Sequence, residues 1–145
     1  MNKLIFNLQL HALQGCKSAL YLGPIATGDA IAGLTSISNA FTGDSLDITT
    51  FDSDCFREFV SGLKGATIDF SGFYDPTDTA GQVALFTAFL AGTKLTTTQK
   101  PVFSVDGTHG FTGDGYVTAY SVDASVDGIV NFSASIQLSG TVAVV

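Results

Sequence analysis

The chain has 145 residues, 46% hydrophobic and only 13% charged, with 13 acidic against 6 basic side chains and a formal net charge of −7. That length supports one domain whose core stands without disulfides, and the acidic balance argues against a nucleic-acid grip, which needs clustered Lys and Arg. A charged fraction about half the usual ~25% points to an exterior that meets other subunits, or to one made polar by Ser, Thr, Asn and Gln.

The amino terminus reads MNKLIFNLQLHALQGC. Leu4, Phe6, Leu8 and Leu10 alternate with more polar residues, the period of a half-buried strand. A lipoprotein signal ending at Cys16 is disfavoured, because Asn7, Gln9, His11 and Gln14 interrupt its apolar core. Residues 1–25 stand as a candidate N-terminal arm on a single domain spanning 1–145.

Ala30–Ser38 is predicted as a strand with Ile31, Gly33, Thr35 and Ile37 on one face, and Asn39–Ser45 (NAFTGDS) as a loop. Leu46–Phe51 is a short strand. The segment Asp52–Leu63 carries more apolar mass than a connector needs: Phe56, Phe59, Val60 and Leu63 follow Phe51 and sit beside Arg57, Glu58 and Lys64. It either folds down on its own sheet as a lid or inserts into a neighbouring subunit. Thr67–Tyr74 is the next strand. A helix over Gln82–Ala91 follows, with Thr79 and Gln82 as a capping box, a packing stripe of Val83, Phe86 and Leu90 with Phe89 beside it, and Gly92 as its stop.

Beyond a Thr-rich connector (Thr93–Lys100), strands are predicted at Pro101–Asp106, Tyr116–Val122 and Ile129–Leu138. The last alternates most clearly, with Val130, Phe132, Ala134, Ile136 and Leu138 on one side and Asn131, Ser133, Ser135 and Gln137 on the other. Every acidic residue but Glu58 is Asp, often beside Gly as in Gly43-Asp44 and Asp127-Gly128, which is turn chemistry. The fold class expected is mainly β: an antiparallel β-sandwich or barrel with one α-helix packed on the sheet.

The residues offer no catalytic, cofactor-binding or metal-binding set, and an enzyme is not expected. The two imidazoles, His11 and His109, have no nucleophile–base arrangement around them, and His109 lies in a Gly-rich turn. Asp52-x-Asp54 opens like a calcium loop, but Arg57 and Leu63 occupy the positions that need Gly and Glu. The glycines at 107, 110, 113 and 115 precede a strand and lack the Lys-Ser/Thr of a phosphate loop. Cys16 and Cys55 are spaced for neither metal nor redox work. No apolar run approaches the ~18 residues of a membrane span.

One ordered set of segments remains: LDITTFDSD, then REF, then GLKGATIDFSGFYDPTD, from Leu46 to Asp78. It resembles the major tail tube proteins of long-tailed bacteriophages, in which a D-[VI]-T strand, an R-E-[FY] loop, a G-L-K turn and a G-x-[FY]-D-P-T-D strand end follow one another at similar spacing. The likeness continues upstream through AGLTSIS (Ala32–Ser38) and downstream to the last strand, and leaves the first 25 residues unexplained. It implies a tail-tube-like fold and a structural virion protein that assembles into stacked homohexameric rings, the hollow tube through which the genome passes. By resemblance, Phe41, Thr42, Gly43, Asp44 and Ser45 lie in a loop joining successive rings, and Phe51, Asp52, Phe56, Arg57, Glu58 and Phe59 belong to a subunit or ring–ring interface. The implied partners are the chain itself, a tape-measure protein, the tail terminator and tail-tip proteins, and double-stranded DNA passing without specific binding. The implied location is the phage tail, after assembly in the host cytoplasm. A non-basic lumen fits the net acidity. Two alternatives stand beside this reading: a single-ring tail terminator or head–tail connector of related fold, and a surface carbohydrate-binding β-sandwich. The absence of Trp and the scatter of four Tyr residues disfavour the second.

Overall fold

Two antiparallel sheets and one helix make up the computed structural model, which describes residues 13–145. Strands β1 (Ala19–Leu22), β2 (Asp29–Ala30), β5 (Pro101–Ser104), β6 (Gly110–Thr112) and β9 (Ala143–Val144) form a five-stranded sheet in the order β2-β1-β5-β6-β9. Strands β3 (Leu34–Asp47), β4 (Phe59–Phe73), β7 (Gly115–Asp123) and β8 (Asn131–Leu138) form the other, in the order β3-β4-β8-β7. The core lies between them and under helix α1 (Gln82–Ala91): Leu20 and Leu22 from β1 meet Ile68 and Phe70 from β4, Phe132 and Ile136 from β8, and Leu85 from α1. The expected mainly-β sandwich with one packed helix is what the chain forms.

Strand β8 follows its sequence pattern, burying Phe132, Ala134, Ile136 and Leu138 and turning Asn131, Ser133 and Gln137 outward. The predicted strand Ala30–Ser38 is instead two strands. Gly33 sits between them at φ +74°, where a Cβ would lie 2.7 Å from the Phe73 carbonyl oxygen, so the chain turns there. The predicted loop Asn39–Ser45 is also strand: it pairs residue by residue with β4, from Asn39 opposite Ile68 to Ser45 opposite Ser61. Its Gly-Asp signal is absorbed as a register shift between Gly43 and Ser45 rather than as a turn. Of the candidate arm over 1–25, Ala19–Leu22 is an inner strand with Leu20 and Leu22 buried, because its apolar pair fills the core. The predicted strand Leu4–Leu10 lies outside the described residues.

Helix α1 has the predicted bounds, and Gly92 ends it in the left-handed region at φ +65°. Its cap differs from the predicted box. Asp78, not Thr79, accepts the first turn's amides, from Gly81 at 3.1 Å and Gln82 at 3.0 Å, and it also accepts Ala32 N–H at 3.0 Å. Asp78→Ala is expected to cost about 2 kcal/mol in urea unfolding, since it removes a cap and strands three donors; an unchanged midpoint would show that solvent replaces it. The side chain of Gln82 turns inward, fully buried, instead of reaching back to the helix start. The packing face differs as well. Leu85 and Ala88 are buried, whereas Phe86, Phe89 and Leu90 are exposed, with Phe86 lying on Tyr120 at a ring-centroid distance of 5.1 Å. Tyr120 also contacts Phe132 at 6.0 Å, so the helix covers the inner face of the four-stranded sheet along β7. Partial burial raises the Tyr120 phenol above its ordinary pKa, with smaller contributions from Tyr74 and Asp78.

Candidate subunit interface

The four-stranded sheet has two faces of opposite chemistry. Its inner face is the apolar core. On its outer face, the pairing register aligns Ser36, Ser71, Ser133 and Ser121 in one row across all four strands. The next row is Ser38, Asp69, Ser135 and Ala119, and the next Ala40, Thr67, Gln137 and Tyr116. Hydrogen bonds knit these rows together: Ser121 and Ser133 hydroxyls meet at 2.6 Å, Thr67 donates to Gln137 at 3.0 Å, and Ser135 donates to Asp69. The rows hold no Lys or Arg. Small hydroxyls with a single carboxylate, Asp69, make a weakly acidic wall.

The edges of this sheet are β3 and β7, and neither has a strand beyond it among the described residues. Four strands alternating in direction leave β3 and β7 running opposite ways, so β7 of one copy is oriented to pair antiparallel with β3 of another. Unpaired edges of 14 and 9 residues are a standing invitation to such pairing.

The β3–β4 hairpin extends far past its neighbours. Strand β8 pairs with β4 only from Thr67 to Phe73, so the stretch from Phe59 to Ala66 and its β3 partner stand as a two-stranded arm. The arm ends in Ile48–Glu58, which is tied by Ile48 N–H to the Glu58 carbonyl at 2.9 Å and by Glu58 N–H to the Thr49 hydroxyl at 2.9 Å. Asp47 anchors the turn by accepting the Thr49 hydroxyl and amide, and these bonds hold its carboxyl below the usual range. Asp54 and Cys55 adopt left-handed conformations (φ 48° and 65°) that close the tip.

The sequence-predicted interface residues fall in two places. Phe41 is mid-strand and points to the inner side, edge-on to Phe111 at 5.2 Å, at the mouth between the sheets. Thr42 lies on the outer face and donates to the Gly65 carbonyl at 3.4 Å, Gly43 borders the register shift, and Asp44 is the unpaired residue within it. Phe51, Asp52, Phe56, Arg57 and Glu58 are gathered at the tip, with Phe59 opposite Asp47 at its base. Phe51 is fully exposed and Phe56 is 76% exposed, so the segment projects instead of closing as a lid. Sequence reasoning missed the patch at the far end of the same sheet, where Phe73, Val122, Val126 and Ile129 are all exposed. The apolar residues flanking the Asp-Gly turn at 127–128 were its signal.

His109 holds its turn, as expected, with Nδ1 2.7 Å from Asp106 Oδ2. Bonds from the His109 amide and ring, then from Thr108, keep the Asp106 carboxyl well below the usual range. Among the described residues no group of three or more His, Cys, Asp or Glu is placed to hold a metal ion.

A family model for phage tail tube proteins matches residues 17–144. No curated protein matches the chain. Among solved structures, the chain superposes on the tail of an empty gene transfer agent particle refined with C6 symmetry, with a TM-score of 0.78 at 18% identity, covering 92% of this chain and 99% of that one. The virion of the native gene transfer agent particle gives the same TM-score, identity and coverage. The tail tube of SPP1 matches with a TM-score of 0.66 at 16% identity, over 89% of this chain and 77% of that one. At these identities the superpositions establish the shared fold. The matched family model, with a fold of two sheets, one helix and a long hairpin arm, shows that the chain belongs to the phage tail tube protein family and is a structural protein of the virion tail.

Proposed function

We propose that six copies of this chain close into a ring and that rings stack into the hollow tube of the tail. The observation that carries the ring is the pair of open, oppositely directed edges on one four-stranded sheet. Joining β7 of each copy to β3 of the next removes both free edges of that sheet. With the C6 symmetry of the gene transfer agent tail as the template, six sheets of four strands make a barrel of 24. The serine rows then line the channel. A wall without cations gives phosphates nothing to pair with, so double-stranded DNA slides past without specific binding.

In this reading the protein is a building block with no catalytic duty. Phe41, Thr42, Gly43 and Asp44 lie along the edge strand that joins neighbours, and Phe51, Asp52, Phe56, Arg57, Glu58 and Phe59 reach the next ring. A tape-measure protein fills the lumen during assembly, and terminator and tip proteins cap the ends. Negative-stain electron microscopy of the concentrated, untagged protein tests the proposal: hollow tubes with a regular axial repeat are expected. Rings that never stack would reassign the chain to a terminator or connector, and dispersed monomers would overturn self-assembly by the chain alone.

A further inference from the structure

The two apolar extremities of the four-stranded sheet lie at its opposite ends; both are net acidic, and only one of them carries a cation. Strand β4 runs the whole distance: its 15 residues span about 50 Å at ~3.3 Å each. At its start stands the hairpin tip, with Phe51 and Phe56 exposed around Arg57, the single arginine of the chain. At its finish stands the β7–β8 turn, where fully exposed Val126 lies between Asp123 and Asp127 in the chain, with exposed Val122 and Ile129 on either side of them. Arg57, Asp123 and Asp127 take part in no ion pair among the described residues.

We infer that the tip of one copy docks on the β7–β8 turn of a copy in the next ring, with Arg57 between Asp123 and Asp127 and the phenylalanines against Val122, Val126 and Ile129. This deepens the tube reading and rests on it. Two different patches of one chain that fit each other make a heterologous contact, which propagates without limit and so builds a stack. The charges single out the arginine. The tip also carries Asp52, Asp54 and Glu58, and the turn is acidic, so Arg57 is the one cation able to offset the repulsion between the two ends. A guanidinium suits the place, because it is weakly hydrated, lies flat on aromatic rings and forks onto carboxylates.

Charge reversal tests the contact. Arg57→Asp is expected to leave rings and the thermal melt unchanged, since the side chain is exposed and unpaired, but to abolish tubes in negative stain and sedimentation. Asp127→Arg should likewise block stacking, and the double variant should restore tubes to wild-type length. Tubes of normal length from Arg57→Asp, or no recovery in the double variant, would overturn this inference while leaving the ring reading intact. A wild-type chain that forms neither rings nor tubes would overturn both.

Discussion

Gln82→Leu is expected to destabilise the protein by about 3 kcal/mol or more, although leucine fills nearly the same volume. Gln82 is fully buried at the first turn of α1 and makes three hydrogen bonds to backbone. Its Oε1 accepts Asp75 N–H at 2.9 Å, and its Nε2 donates to the Ala32 carbonyl at 2.8 Å and the Phe73 carbonyl at 3.0 Å. These bonds tie the turn before β3, the end of β4 and the start of the helix to one amide. Leucine would leave three backbone groups unpaired in an apolar surrounding, each costing roughly 1–3 kcal/mol, against a total stability of about 5–15 kcal/mol. Urea denaturation measures the difference. A loss below about 1 kcal/mol would mean that water enters and replaces the amide. Because the tie joins α1 to both long strands, the variant is also expected to assemble poorly even where it folds.

The second large effect is on delivery. Ser71→Lys together with Ser133→Lys is expected to leave folding and tail assembly intact while lowering the infectivity of phage carrying the double variant by tenfold or more. The two serines face each other in register on the outer sheet face, half-buried and exposed respectively, so lysines there extend away from the core. A single lysine–phosphate contact is worth about 1 kcal/mol in water at ~4 Å, and a stack of rings repeats it along the channel. Plaque titre read beside micrographs of the virions checks the outcome. Normal titre with normal tails would mean that this face does not line the channel. Loss of tails altogether would mean that it is an interface instead.

How much of this was legible beforehand differs from element to element. Strand β8 was readable from Phe132 to Leu138, because a two-residue period with large apolar groups on one side admits one register, while Ile129 and Val130, predicted to begin it, fall in the turn before it. The helix bounds were readable from Gly92 and the Gln82–Ala91 run, but its packing face was not. QVALFTAFLA is apolar nearly all round, so Leu85 and Ala88 competed with Val83, Phe86 and Leu90 for the core, and periodicity cannot choose between them. The hairpin arm was hidden by its own composition. NAFTGDS has the local chemistry of a loop, and only the partner strand, which supplies hydrogen bonds as far as Asp47, makes it a strand. The interface candidates were found as residues but not as a place: Phe41 turned out to guard the mouth of the sandwich, while Arg57 and the phenylalanines stand out at the tip.

The sequence by itself determined the mainly-β class, the single helix and its ends, and the family, because these follow from local periodicity, turn chemistry and an ordered set of short segments. The tertiary structure alone decided which strands are edges, that six scattered serines share one wall, and that two exposed apolar patches stand at opposite ends of one sheet. Those properties belong to pairs of residues far apart in the chain, from Ser36 to Ser133 and from Arg57 to Asp127. No local pattern encodes them, since pairing order and register are settled by burying the core as a whole.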